Sequence, residues 1–331
     1  MDFLAQIFGY VMKGCCWITQ QSYVPALLLF ALAMQLLLCP FGIKQQKNMV
    51  KQASLRPKEM AIRKKYAGRN DQVTMKKAQE EIMQLYQREG YSTVAGCLPM
   101  LFQLIIIFPI YNVVVRPLEF ICGIGKDISD AMFTELALGE KLSSTAQIQV
   151  ISTLKSDPSA FGRLSAASQE AINSVGGIEA LPSVSLGSVD LGITPWDAIG
   201  QSGVWFLLFV PILNLGFMYL SQFLSRKLSY NGTQAEMANN SSMKIMLYVL
   251  PLMTMFITFQ FAAAIGIYWI FRTLLSMLQQ FIFYKAMPYP KFTEEDYKKA
   301  EKDLKGKKQV KKSNTNYVLQ PGEYRSLHHD D

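Results

Sequence analysis

The sequence predicts an all-α membrane protein with five transmembrane helices, a cytoplasmic helical hairpin and an N-terminal interfacial helix. Three observations predict it. Half of the 331 residues are hydrophobic and only 18% are charged, against about 25% charged in soluble domains. The apolar residues are bunched into runs close to the roughly 20 residues that a helix needs to cross hydrocarbon. Between the runs, strongly basic segments alternate with an acidic one, the asymmetry that orients membrane proteins.

The same figures exclude a disordered chain, a fibrous repeat and a disulfide-stapled miniature. Cys15, Cys16, Cys39, Cys97 and Cys122 have no metal-ligand spacing, and His328 and His329 lie at the C-terminal end. Neither a zinc site nor a histidine-based catalytic centre is expected, and no cofactor. The chain reads as a non-enzyme.

Residues 1–20 carry Phe3, Leu4, Ile7, Phe8, Val11 and Met12 at helical spacing, which predicts an amphipathic helix lying in the membrane interface. Asp2 in place of a basic start disfavours a secretory signal. Gly14-Cys15 resembles a lipoprotein cleavage site, but Lys13 just before it argues against one. Five spans follow, at 21–41, 96–115, 203–225, 243–259 and 261–284. The last two are joined so tightly near Gln260 that they must form an antiparallel hairpin. Pro99, Pro109, Pro211 and Pro251 fall inside the runs, where neighbouring helices re-satisfy the freed carbonyls.

The connections set the orientation. Residues 42–95 hold twelve basic side chains and five acidic ones, whereas 116–202 hold five basic and ten acidic. The tail, 285–331, holds eleven basic residues, densest from Lys298 to Lys312. The positive-inside rule puts 42–95, the short 226–242 loop and the tail in the cytoplasm, and five spans then put 116–202 and the N-terminus outside. Within 42–95, helices are predicted at 45–67 and 71–89 around a turn at Gly68-Arg69-Asn70-Asp71. Their apolar positions are sparse, so little burial is expected to hold them. Connection 116–202 is rich in Ser, Ala and Gly, with short helices expected at 128–142 and 145–175 and a role in capping the outer face.

Function is sought where charge lies in lipid. No Asp or Glu occurs in any of the five spans, and the charge well inside one is Arg272. It sits near the bilayer middle, where an arginine costs at least about 2.5–3.5 kcal/mol. Trp269, Arg272, Thr273, Ser276 and Gln280 share one helical face. Asn214, Ser221 and Ser225 mark a stripe on the third span, and Gln35 is a lone polar residue in the first. Together they predict a wet polar site; for the isolated residues, interhelical hydrogen-bonding is the alternative. Opposite lies an apolar surface, Leu98, Leu101, Phe102 and Ile105 on the second span and Leu250, Met253 and Ile257 on the fourth. It suits varied apolar partners or plain lipid.

Three blocks resemble the YidC-type membrane protein insertases, relatives of the Oxa and Alb proteins. They are Cys39-Pro40 with the basic hairpin containing Leu55-Arg56-Pro57-Lys58, then Gly96-Cys97-Leu98-Pro99-Met100-Leu101-Phe102-Gln103 with Phe108-Pro109-Ile110-Tyr111. The third is Met243-Lys244-Ile245-Met246 to Pro251, with Gly266-Ile267-Tyr268-Trp269 and Gln279-Gln280. The resemblance covers all five spans in order. It implies a groove open to cytoplasm and lipid that receives nascent membrane proteins, draws in their hydrophilic ends and releases apolar segments along the second and fourth spans. It also implies a bacterial cell membrane location, with the ribosome, the Sec translocon and anionic lipids as partners. Bacterial members usually carry an arginine five residues before the proline of the first span; here that place is Gln35, and Arg272 occupies a position usually small and polar. The resemblance therefore implies a positive charge moved across the groove. A scaffold recruiting ribosomes or anionic lipid through its tail is an alternative. A small-solute transporter is disfavoured by the lack of intramembrane acids and internal repeats.

Overall fold

Helices dominate the chain. They are α1 (Asp2–Ile18), α2 (Tyr23–Leu37), α3 (Cys39–Ser54), α4 (Arg56–Tyr66), α5 (Gln72–Arg88), α6 (Lys126–Glu135), α7 (Ala146–Ser156), α8 (Ala166–Ser174), α9 (Phe209–Leu228), α10 (Ser241–Gln260), α11 (Ala263–Ala286) and α12 (Glu294–Thr315). A helical stretch at 108–115 precedes α6, and strands β1 (Ser185–Leu186) and β2 (Val189–Asp190) form a small antiparallel ribbon with Ser185 opposite Asp190. The computed structural model describes residues 2–68, 71–91, 106, 108–139, 142, 145–187, 189–200, 203–228 and 241–315, the backbone alone at 2, 241–247 and 305–315. Among the described residues, Trp205–Leu228 is long and apolar enough to cross a bilayer by itself, and α2 with α3 is a second candidate, bent by 55°. The bend follows from Pro40, which has no N–H to donate and whose ring clashes with the carbonyl four residues back. α11 is 24 residues long, ample to span, but its polar stripe lowers its apolar character.

Two compact units emerge, Met1–Gln45 with Cys97–Met287, and Gln46–Gly96 with Pro288–Asp331. In the first, α1 packs against α2 and the helical turn Leu118–Cys122. Ala5, Phe8, Met12, Cys15 and Cys16 are buried there, while Phe3, Ile7, Tyr10, Trp17 and Ile18 face outward. The apolar face read from the sequence is thus divided, with Phe8 and Met12 inside and Phe3 and Ile7 outside. Gly9 permits the contact with Leu118–Cys122: a Cβ there would lie 2.4 Å from the Phe120 carbonyl oxygen. The reversal into α2 uses left-handed Gln20 and Gln21, φ +52° and +63°.

Connection 116–202 is packed rather than loose. Ile148, Ile151, Leu154, Ile172 and Leu181 are fully buried, each burial contributing about 1.5–3 kcal/mol. The expected helix 145–175 is instead α7, a tight turn at Pro158–Arg163 and α8. Asp157 accepts from the Ser159 N–H to start that turn, and the Ser165 hydroxyl caps α8 by accepting from the Ser168 N–H. Burial pushes the Asp190 carboxyl up from its ordinary value, and the Gly192 N–H, 2.7 Å away, pulls it back.

The second unit contains α4, α5 and α12. The helix expected over 45–67 is divided at Leu55, because Pro57, near the start of α4, has no N–H for the carbonyl of Ala53 four residues back. Asp71 caps α5 by accepting from the Thr74 N–H. Leu55, Ile62, Ile82, Leu85, Tyr86 and Tyr91 form a small core, with Tyr66 and Leu304 packed against it. Buried Glu59 joins the helices. Its Oε1 accepts from Arg63 Nε and Nη2 at 3.0 and 2.7 Å, and its Oε2 from the Tyr86 hydroxyl at 2.9 Å. Burial, then the neighbouring carboxylate, push the Tyr86 hydroxyl up, so it stays protonated and donates. α12 lies along α4, with Ala300 buried and Lys64 paired to Glu301 at 2.9 Å.

Two measurements check these contacts. Gly9→Ala should destabilise the detergent-solubilised protein by about 1–3 kcal/mol through overpacking. Gly14→Ala, where a Cβ meets nothing within 4 Å, should be neutral or stabilising by up to about 1 kcal/mol; equal melting temperatures for the two variants would contradict the Phe120 contact. Tyr86→Phe leaves Glu59 one bond short and should cost about 1.5–3 kcal/mol, read as faster hydrogen exchange across 56–88.

Candidate functional site

The polar side chains predicted within the membrane are arranged around α11, which packs against α2 and α9. α2 and α11 run in the same direction. Near their starts Phe30 lies beside Tyr268, ring centroids 5.9 Å apart, and nearer their ends Gln35 Nε2 donates to Gln279 Oε1. Gly42 closes on the same point, since a Cβ there would stand 3.3 Å from Gln279 Nε2 and 3.2 Å from Phe283. α9 also begins beside the start of α11, and α10 runs opposite to both. Thr258 and Val210 meet Gly266 at one level, while Tyr248 meets Tyr219 and Arg226 at another. The stretch 108–115 ends near the starts of α2 and α11, with the Val114 carbonyl accepting from Tyr23 Oη at 2.7 Å and Tyr111 stacked near Phe261 at 5.1 Å.

Connection 116–202 closes this end of the bundle through its backbone. Ala263 and Ala264, the first residues of α11, donate to the carbonyls of Ile193 and Leu191, each at 3.0 Å. The Trp196 N–H donates to the Phe259 carbonyl at the end of α10, also at 3.0 Å. At the start of α2, Tyr23 N–H donates to Ser183 and Ser183 N–H donates to Gln21. Both helix starts leave N–H groups that no preceding turn can satisfy; here strand-like segments supply the acceptors.

Trp269, Arg272, Thr273, Ser276 and Gln280 are all half-buried on α11, and Gln280 Oε1 is enclosed with no hydrogen-bond partner among the described residues. Arg272, Ser276 and Gln279 follow i, i+4, i+7 spacing, so Gln279 lies on nearly the same helical line as the arginine. The Gln35–Gln279 bond therefore puts Gln35 on the arginine's side of α11. Sequence reasoning named Gln35 and Gln280 as site residues and missed Gln279; its place on the Arg272 line was the available signal. Ser221 is half-buried on α9. Asn214 is enclosed, and its Nδ2 donates to Gly266 at 2.9 Å and to Val210 at 3.2 Å, which makes it a bridge between α9 and α11. Gly266 is required there, because a Cβ would fall 2.4 Å from Val210 Cγ1.

On α10, Met253 is exposed, and Leu250 and Ile257 are half-buried. Leu98, Leu101, Phe102 and Ile105 of the predicted second span lie outside the described residues.

The family described as 60Kd inner membrane protein matches residues 17–291. Among relatives, "Membrane protein insertase YidC 2" of Bacillus anthracis is 23% identical over 261 residues, 79% of this chain and 71% of the relative. "Membrane protein insertase YidC" of Oceanobacillus iheyensis is 26% identical over 283 residues, covering 84% and 81%. "Membrane protein insertase MisCA" of Bacillus subtilis reaches 31% over 138 residues, 42% of this chain and 48% of the relative.

Asn214→Ala tests the bridge. Hydrogen bonds between membrane helices are worth about 0.6 kcal/mol on average and about 1.7 at most. A loss within that range is expected, since the one interhelical bond, to Gly266, is removed together with the bond to Val210 inside α9; a melting temperature unchanged in detergent would contradict it.

Proposed function

The chain belongs to the 60Kd inner membrane protein family, that of the YidC-type insertases, and from this we propose that it is a membrane protein insertase. It receives nascent hydrophobic segments in a polar intramembrane groove and releases them into the bilayer, without a cofactor and without hydrolysing a nucleotide. The polar wall of the groove is Gln35, Trp269, Arg272, Thr273, Ser276 and Gln280, with Ser221 on α9, and Asn214 fixes the helices that carry it. The observation that carries this reading is the Gln35–Gln279 hydrogen bond, because it brings a polar residue of α2 to the helical line of Arg272.

Five spans cross the cell membrane, with the N-terminus and connection 116–202 extracytoplasmic and the hairpin 42–95 and the tail cytoplasmic. Supporting this are the charge counts and the alternating directions of α2, 108–115, α9, α10 and α11. Burial of an apolar client segment in lipid drives release, at about 25 cal/mol per Å² of apolar surface. The client slides past Leu98, Leu101, Phe102 and Ile105 on one side and Leu250, Met253 and Ile257 on the other. Arg272 supplies the pull on the client's hydrophilic end. In a medium of effective dielectric about 20, two unit charges 4 Å apart attract by about 4 kcal/mol, against about 1 in bulk water. Gln280 Oε1, an enclosed acceptor, is a group that water in such a groove would satisfy. The ribosome, the Sec translocon and anionic lipids are the partners proposed for the cytoplasmic face.

Arg272→Ala should lower insertion of single-span clients with acidic N-terminal tails by about tenfold, the equivalent of about 1.4 kcal/mol, and leave clients with neutral tails nearly unchanged. Gln35→Arg combined with Arg272→Ser should restore much of the loss. Protease protection of reconstituted clients reads both, and equal insertion of acidic-tailed clients by the natural protein and Arg272→Ala would remove the arginine from the mechanism.

A further inference from the structure

The four tryptophans of the chain are Trp17, Trp196, Trp205 and Trp269. Trp269 is half-buried on α11, but the other three are largely open, at 78%, 56% and 59% exposure. Those three cluster at one end of the first unit. Trp17 is in the last turn of α1, six residues before the start of α2. The Trp196 backbone is bonded to Phe259 at the end of α10. Trp205 stands just ahead of α9, its ring 5.8 Å from that of Phe209. Ile18 and Ile199 are exposed among them, at 65% and 56%.

A water-soluble cap would not present three open indoles at the ends of apolar helices. Tryptophan concentrates at the boundary between headgroups and hydrocarbon, where its ring is half apolar and its N–H still finds a polar partner. Trp205 opens Trp205–Leu228, the helix most clearly able to span a bilayer, and Trp196 and Ile199 precede it by only a few residues, so these side chains continue a lipid-facing surface. Charge does not supply the attraction, since no Lys or Arg occurs between Arg163 and Arg226. Asp197, the charge next to Trp196, accepts from the Thr194 side chain, Oγ1 to Oδ2 at 2.7 Å.

We propose that residues 191–200 together with Trp205 form a lipid anchor: Trp196, Ile199 and Trp205 sit in the phospholipid headgroup–hydrocarbon boundary and hold that end of connection 116–202 down on the bilayer. The same segment satisfies the backbone of the α10–α11 turn through Leu191, Ile193 and Trp196. Lipid contact on one side and hydrogen bonding on the other thus keep that end of the bundle closed. The inference rests on the membrane assignment and is independent of the insertion chemistry.

Fluorescence quenching in reconstituted bilayers tests it. The full chain carrying Trp17→Phe, Trp205→Phe and Trp269→Phe leaves Trp196 as the emitter. Phosphatidylcholine brominated near the carbonyl end of its chains should quench that emission at least about twofold more than lipid brominated near the methyl end. The result should persist at high salt and without anionic lipid, because no basic residue contributes. Quenching by aqueous iodide as efficient as for tryptophan free in water, with no effect of either bromolipid, would overturn the anchor. So would quenching that appears only with anionic phosphatidylglycerol present. Should the triple variant fail to fold, the natural chain compared with Trp196→Phe gives the same reading: loss of a shallow-quenched share of emission supports the anchor, and loss of only an iodide-quenched share refutes it.

Discussion

The turn between α10 and α11 is the constraint on which the site depends. Two antiparallel helices meet across residues 261 and 262, which leaves terminal carbonyls of one and terminal N–H groups of the other side by side. In surroundings poor in water, each unsatisfied group costs several kcal/mol. Segment 191–196 supplies partners for three of them, through Leu191, Ile193 and Trp196. Because those partners are backbone atoms held by a packed connection, they set both the height and the rotation of α11. Every polar contact of the site then follows from that placement. Asn214 meets Gly266 one turn into the helix, Phe30 meets Tyr268 just beyond, and Gln35 meets Gln279 further on.

Much of this was legible in the residues themselves. The apolar runs and the recurrence of polar residues around Arg272 at helical spacing were visible in the sequence, whereas the single helix expected over 45–67 is divided at Leu55, two residues before Pro57. Gln279 was not legible as the partner of Gln35, although its spacing from Arg272 was available. Gln279 and Gln280 are adjacent and chemically identical, and choosing between them requires the rotation of α11, which its long-range backbone bonds to Leu191 and Ile193 set. Asn214 shows the same limit. Its spacing resembles that of Ser221, and only the 2.9 Å approach to the Gly266 carbonyl separates a bridge from a half-open polar residue. In connection 116–202 short helices were expected from the sequence, and Ile148, Ile151, Leu154, Ile172 and Leu181 close a core among them that its Ser-, Ala- and Gly-rich composition does not show. No glycine advertises the α1–α2 reversal either, since Gln20 and Gln21 take left-handed conformations at roughly 1–2 kcal/mol each.

The second unit shows how a highly charged hairpin acquires a core. Its apolar positions are few, but Glu59 accepts from side chains of both α4 and α5, so the charged face contributes directed bonds where burial is thin. The tail reads as an independent basic segment, whereas the first half of α12 is acidic at Glu294, Glu295, Asp296, Glu301 and Asp303 and lies along α4. A single exposed pair such as Lys64–Glu301 is worth about 0–1 kcal/mol. Ala300 and Leu304 therefore contribute more to docking the helix than its charges do.

The parallel course of α2 and α11 gives the shifted charge a definite consequence. The family resemblance implies an arginine at the position of Gln35, which here lies level with Gln279. Arg272 is seven residues earlier on α11, about 10 Å along the helix axis. On the proposed topology that displacement is away from the cytoplasm and toward the end closed by segment 191–196. On the proposed mechanism, a client must therefore enter about two helical turns deeper before feeling the charge. On that proposal, Ser276 between the two levels, with Gln279 and Gln35 at the lower one, would solvate a hydrophilic tail over the interval that no charge covers.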